Sequence, residues 1–417
     1  MSLAVFGIYA QDAASPDPKQ RVKAAREFAR QGSEGLSNLR PLIKDPVLEV
    51  RTEAVKGVIE IGTQYSIDPL IEAAADNEPT IQIRATEGLV NFYYPGFLSS
   101  GANRVGAYIR SKLSDGYDQV VPAYVTVRPD VIAALAKLAR GGSSMESRAT
   151  AARAIGILRG KQAVPELTDA LRSKDDRVIL ESLLALQKIK DPSAAPRVVF
   201  LLRDLNEKIQ IAALETTGLL MNKEAVPDVQ KAFDRGRNEK IRRAALASLA
   251  MLADESSRNY FQRGFTDKDD GVRAAAAEGF ARLNKSADLA AMQKAFGEEK
   301  KMAPRLALAF AVVGLGNREV SEMSPLQYLV NTLNSRQHHA VAEAYLIELA
   351  RDGAIRQALY PALRSATKDE KMGLARVLSI SGDRESLPYL EPLAKDPDRE
   401  VAQESLRALR TLKLRVP

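Results

Sequence analysis

The sequence predicts an all-α protein, an α-α superhelix of about twelve copies of one helical hairpin with one irregular insertion. Three observations predict it. Apolar residues recur at helical spacing, the helical stretches recur about every 31 residues, and one double-length gap breaks the series. The unit is clearest at residues 163–190, AVPELTDALRSKDDRVILESLLALQKIK. Pro165 opens a short amphipathic segment carried by Leu167 and Leu171, because proline is tolerated where a helix's first N–H groups lack partners. The polar turn Ser173 to Asp176 ends it. A second segment places Val178, Leu183, Leu186 and Ile189 on one face, with spacings of five, three and three that only a period near 3.6 reconciles. Such a hairpin is too small to bury its apolar side alone, so it needs copies on both flanks.

The copies are found by taking the position of Val178 as an anchor. The series runs Gln20, Val50, Ile81, Ser147, Val178, Ile209, Ile241, Val272, Arg305, Val341, Met372 and Val401, in steps of 30, 31, 66, 31, 31, 32, 31, 33, 36, 31 and 29 residues. Eight residues after each anchor, where a helix returns to the same face, eleven of twelve residues are apolar, Thr217 being the exception. Composition alone gives 45% hydrophobic, so the register is not chance. Pro69, Pro165, Pro196, Pro227 and Pro388 each precede an anchor by 12 to 14 residues and mark the start of first helices. Charged turns such as KDPVLEVR at 44–51, DNEPTIQIR at 76–84 and DKDDGVR at 267–273 supply caps and stop those helices.

The pattern D-x-x-V-R followed by A-A-x-A-L resembles HEAT repeats, in the short bacterial form known as the phycobilisome-lyase (PBS lyase) HEAT-like repeat. EVRTEAVKGV at 49–58, SRATAARAIG at 147–156, KIRRAALASL at 240–249 and GVRAAAAEGF at 271–280 carry the resemblance, which extends from about residue 17 to 412. Tetratricopeptide and ankyrin signatures are absent. The resemblance implies a HEAT-like, armadillo-like α-solenoid, a right-handed superhelix with a concave face lined by second helices. It implies no chemistry, since the repeat serves scaffolds, lyases and nucleic-acid binders alike.

Composition narrows the function. The formal charge of +7 is small beside 60 basic and 53 acidic residues, where a dedicated nucleic-acid binder is more lopsided. Zero cysteines exclude disulfides and thiolate chemistry, and two histidines leave little for imidazole chemistry. No apolar run reaches the 18 or so residues of a membrane span. His338 and His339 are adjacent, so on a helix they diverge by about 100° and cannot chelate one ion together. The iron-binding HEAT-fold hydroxylases use several His-Glu pairs, which this sequence lacks, and it has no Trp to line a glycosylase cleft. No metal or cofactor is expected.

Taken in order, the chain begins MSLAVFGIYA, an apolar decapeptide before a proline-bearing linker that ends near residue 16. It reads either as the end of a signal peptide, which places the protein outside the cytoplasm or in the periplasm, or as a cap on the first repeat of a cytoplasmic protein. Repeats then occupy 17–94 and 129–417, and the step of 66 leaves residues 95–128 as the insertion. That stretch starts glycine-rich, offers a short helix at 104–113 and ends in a β-branched run suited to extended chain. With the residues just before it, it holds Phe92, Tyr93, Tyr94, Phe97, Tyr108, Tyr117 and Tyr124, seven of the 23 Phe and Tyr, among Arg104, Arg110, Lys112 and Arg128. Rings mixed with cations suit a binding surface; they equally suit a lid folded onto neighbouring helices.

Arg21, Arg51, Arg148, Arg242 and Arg273 each follow an anchor and should form a ladder along the superhelix. A ladder can track phosphates. In the resembled family this arginine instead bonds the preceding turn and its Asp, a structural role. The run KAFDRGRNEKIRR at 231–243 has six basic and two acidic residues and a single ring, Phe233, so no aromatic interleaving supports single-strand binding. The expected function is a non-catalytic scaffold mediating protein–protein interaction through its concave face and the 95–128 insertion. The alternatives are a bilin lyase or isomerase-like protein, marked by a Tyr, Asp and Arg cluster on the concave side, and a nucleic-acid-binding solenoid.

Overall fold

The computed structural model describes residues 12–98, 119–122 and 124–416, and every regular element among them is helical. The chain divides into two compact units, Met1–Leu220 and Met221–Pro417.

In the first unit the helices are α1 (Pro18–Arg30), α2 (Leu36–Leu42), α3 (Leu48–Ile61), α4 (Ile67–Ala74), α5 (Pro79–Tyr93), α6 (Pro129–Gly141), α7 (Met145–Ile157), α8 (Val164–Ala170), α9 (Asp176–Ile189), α10 (Ala195–Val198) and α11 (Glu207–Leu219). The odd-numbered ones are second helices of hairpins. They pack in sequence, α1 on α3, α3 on α5, α5 on α7, α7 on α9 and α9 on α11, with the shorter first helices forming the other layer. Although residues 95–128 separate α5 from α6, α5 packs directly on α7 and α4 directly on α6. The order in which the helices meet is therefore the one that uninterrupted repeats give.

The second unit repeats the plan with α12 (Val226–Asp234), α13 (Glu239–Leu252), α14 (Arg258–Phe265), α15 (Asp270–Leu283), α16 (Leu289–Glu298), α17 (Met302–Gly314), α18 (Pro325–Thr332), α19 (His339–Leu349), α20 (Gly353–Leu359), α21 (Ala362–Ser365), α22 (Lys368–Ser381), α23 (Leu387–Leu393) and α24 (Arg399–Arg415). Here the second helices α13, α15, α17, α19, α22 and α24 pack one on the next.

Local chemistry sets these boundaries. Second helices start behind side-chain caps: Asp175 accepts from Arg177 N and Val178 N, Asp269 from Val272 N, and Asp398 from Val401 N. Many first helices start as a single 3₁₀ turn followed by proline, as at Pro165, Pro227 and Pro388. Several second helices end on a left-handed residue, Gly62 at φ 58°, but also Lys190, Ala253 and Asn284. Val50, Ile81, Ser147, Val178, Ile209, Ile241, Val272 and Val401 are all buried, as are Val58, Leu89, Ile155, Leu186, Thr217, Leu249, Phe280 and Leu409 eight residues on. Gly279 lets a first helix approach closely: a Cβ there would lie 2.4 Å from the Phe261 ring.

Two anchors need correction. Helix α17 is capped by Lys301 and α22 by Thr367, so the third helical position is Pro304 rather than Arg305, and Glu370 rather than Met372. The eight-residue test did not separate the registers because Val312 and Val313 are both apolar, as are Leu378 and Ile380; in the structure Leu378 is buried while Ile380 is 49% exposed.

Candidate functional site

Both ends of the insertion are tied to the scaffold. Tyr93 closes α5 and stacks edge-on against Phe92 at 5.0 Å, and its hydroxyl accepts from Arg128 N at 3.3 Å. Leu98 N donates to Asn91 Oδ1 at 3.0 Å. At the other end Val121 is buried, and its N–H donates to Ile157 O at the end of α7 at 2.9 Å. Residues 119–122 run without regular secondary structure. Of the nine candidate binding residues, Tyr93, Tyr94 and Phe97 are half-buried around the end of α5, and Tyr124 is exposed. Arg104, Tyr108, Arg110, Lys112 and Tyr117 lie outside the described residues.

Arg128 ends the insertion and donates to Asp68 at 2.6 Å and to Asp130. The two carboxylates raise its pKa above that of an ordinary arginine. Beside it Leu36, Arg40, Tyr65, Asp68 and Pro69 line a groove of about 430 Å³ along α2 and α4. Tyr65 is 68% exposed. Sequence reasoning placed recognition on second helices and missed this first-helix groove, for which only the juxtaposition of Asp68 with Arg128, 60 residues away, gives a signal.

The arginine ladder has a repeating geometry. Arg21, Arg51, Arg148, Arg242 and Arg273 stand four residues after the N-caps Asp17, Val47, Ser144, Asn238 and Asp269. Arg21, Arg51 and Arg273 each donate Nη1 to a carbonyl of the preceding turn, Ser15 O, Asp45 O and Asp267 O, at 2.8 to 2.9 Å. The carboxylate that links hairpins comes from the following turn, although Arg273 also bonds Asp270 of its own first turn at 2.8 Å. Arg21 forks onto Asp45 at 2.7 and 2.9 Å, Arg51 pairs with Asp76 at 2.7 Å, Arg242 pairs with Asp267, and Arg273 pairs with Glu299 at 3.1 Å. Each arginine thus straps its own turn to the next hairpin. The acid also organises its own turn, Asp45 accepting from Val47 N at 2.8 Å and Asp267 from Asp269 N at 2.9 Å. Burial pushes the Asp45 carboxyl up, and the bonds from Arg21 and Val47 N more than reverse this, leaving it below the ordinary carboxylate range. Arg148 departs from the pattern, its Nε donating to Ala139 O at 3.1 Å. Lys371, hidden by the misplaced anchor at 372, takes the same position and bonds Asp396 at 2.8 Å.

A second constellation was not visible in the sequence. Glu278 and Arg282 on α15, Phe310 on α17, and Tyr345 and Glu348 on α19 converge in the second unit. Arg282 forks onto Glu348 at 2.9 and 2.8 Å and donates to Glu278 at 2.8 Å. Tyr345 donates its hydroxyl to the other Glu278 oxygen at 2.5 Å and stacks on Phe310 at 4.7 Å. Burial, with Glu278 beside it, raises the Tyr345 phenol well above its ordinary pKa.

In the basic run, Arg243 pairs with Asp269 at 2.9 Å, and Arg242 lies over the Phe233 ring at 5.3 Å. His339 contacts Ser335 O at 3.0 Å through Nδ1. Among the described residues no three His, Asp or Glu converge as a metal-ligand set, and no helix is long and apolar enough to cross a membrane.

A family model described as HEAT repeats matches residues 10–90, 132–215, 195–281 and 227–313. A search of curated proteins found no match. Among solved structures, the chain is similar to the complex of CpcE and CpcF of phycocyanin lyase from Nostoc sp. PCC7120, at 16% identity over 60% of this chain and 94% of that one, TM-score 0.35. It is similar to YibA of Escherichia coli at 14% identity over 73% and 99%, TM-score 0.42, and to importin beta at 12% identity over 97% and 72%, TM-score 0.37. With the repeat model matched over more than half its length, the chain belongs to the HEAT-repeat family.

Proposed function

We propose that this HEAT-repeat chain is a non-catalytic scaffold that holds another protein, through the concave face of its second helices and through the 95–128 insertion with the groove at its base. One observation carries the reading. Helices α5 and α7 pack directly across the insertion, so stacking does not need those residues, while both ends of the segment are bonded to the scaffold. A long excursion from a repeat scaffold, anchored at both ends, suits recognition. Tyr124 within the insertion and Tyr65 in the groove at Arg128 are both exposed, and their amphipathic rings suit such a surface. The test is capture with the full chain beside a variant lacking residues 97–126, followed by reconstitution of the captured protein from purified components. Equal capture by both removes the insertion from the proposal.

A second reading, a bilin lyase-like protein, draws on the Tyr345, Glu278 and Arg282 network on second helices. Its donors are already paired with one another. Absorbance on mixing with a free bilin decides it, since a bound pigment shifts its visible band.

A further inference from the structure

The arginine ladder has a vacancy. With α17 capped by Lys301, Arg305 occupies the same place, four residues after the cap, as Arg21, Arg51, Arg242 and Arg273. Each of those four finds its carboxylate two residues before the N-cap of the next second helix: Asp45, Asp76, Asp267 and Glu299. For Arg305 the equivalent residue, two before the cap His338, is Arg336, and the turn 333–338 (LNSRQH) contains no acid at all. Arg336 is exposed. The preceding ladder acid, Glu299, is committed to Arg273 and to the N–H groups of Lys300 and Lys301.

The guanidinium is nonetheless held as if for a partner. It lies 5.1 Å from the ring centres of both Phe296 on α16 and Tyr328 on α18, which meet edge to face at 5.5 Å. Its Nε is sealed from solvent without a hydrogen-bond acceptor. The Tyr328 hydroxyl beside it has only the Met302 sulfur, at 3.0 Å. Rings that fix a guanidinium plane remove most of the ordering cost of a two-pronged bond to a carboxylate.

We propose that Arg305 is a receptor for a carboxylate supplied from outside the chain, a glutamate or aspartate of an acidic segment in the bound protein, seated where Arg21, Arg51, Arg242 and Arg273 each hold the acid of the next hairpin. The proposal rests on the scaffold reading and adds the chemistry of one contact. Arg336, standing where the acid would be, adds a second positive charge that favours an incoming anion over a cation.

The experiment uses the full chain and a fluorescein-labelled peptide of four consecutive glutamates, read by anisotropy, with the matching glutamine peptide and inorganic phosphate as competitors. Binding to the wild type should weaken at least about tenfold in Arg305→Gln and stay within about twofold in Arg273→Gln, whose acid is internal. Arg336→Asp restores the missing acid within the chain; it should abolish peptide binding and raise the melting temperature. Equal binding by wild type and Arg305→Gln, or an Arg336→Asp protein unchanged in both respects, overturns the proposal, as does competition by phosphate with none by unlabelled glutamate peptide. A protein captured equally by wild type and Arg305→Gln also overturns it while leaving the scaffold reading intact.

Discussion

The network at Tyr345 makes a sharp prediction about how hairpins are coupled. Tyr345→Phe keeps the ring on Phe310 and removes one hydroxyl, so the perturbation is the loss of a single 2.5 Å bond to the Glu278 carboxylate. A hydrogen bond to a charged group contributes about 1.5–3 kcal/mol. Glu278 keeps its bond from Arg282 at 2.8 Å, so it is not left bare, and the cost should fall at about 2 kcal/mol, the middle of that range. Because the residues lie 67 positions apart on α15 and α19, the loss should weaken the contact between non-adjacent second helices. Native-state hydrogen exchange is the suitable assay, since stacked repeats open locally rather than all at once. Amides of α19 should exchange about 30-fold faster in the variant, the factor that 2 kcal/mol gives, while those of α3 in the other unit stay unchanged. In a double-mutant cycle with Glu278→Gln, a coupling below about 0.5 kcal/mol would refute the reasoning. The pH dependence follows the same bond. A phenol whose folded pKa is raised contributes stability that is fully present below about pH 10, the ordinary phenol value, and is lost as pH rises toward the folded value. Tyr345→Phe should therefore flatten the alkaline arm of the stability profile.

Three further outcomes are expected. The ladder acids Asp45, Asp267, Glu299 and Asp396 are all held below the ordinary carboxylate range, so their contribution is present above about pH 4 and lost as pH falls further; Asp267→Asn should reduce that acid sensitivity in a pH series of melting curves. Ala253 ends α13 at φ 49°, and Ala253→Gly should stabilise the second unit by about 1 kcal/mol in denaturant melts, since left-handed backbone costs a Cβ-bearing residue about that much. Gly279→Val places atoms where a Cβ already lies 2.4 Å from the Phe261 ring, and should cost at least about 1–3 kcal/mol by overpacking.

The hairpin and its period are legible in the sequence because they depend on local rules: helical spacing, caps and proline starts. Val178, Leu186, Ile209 and Ile241 are buried where the periodicity puts them. The helical register failed at 305 and 372, where adjacent or near-adjacent apolar residues left the eight-residue test without a choice, and the anchors Gln20 and Val341 are exposed although they stand at the third helical position. Pairings between hairpins were less legible. The arginine ladder and its bonds to the preceding turn were visible, but the carboxylate that joins one hairpin to the next comes from 24 to 26 residues downstream, which the local pattern does not encode. The Glu278, Arg282, Tyr345 and Glu348 network and the groove at Arg128 join residues 60 or more positions apart, which no periodicity encodes.

The direct packing of α5 on α7 and of α4 on α6 has an engineering consequence. The pitch of the first unit is set by contacts that never consult the length of the chain between Tyr93 and Pro129. That connection is therefore a natural splice point: a reporter domain, an affinity handle or a longer recognition segment can be grafted there while the repeats on either side keep their neighbours.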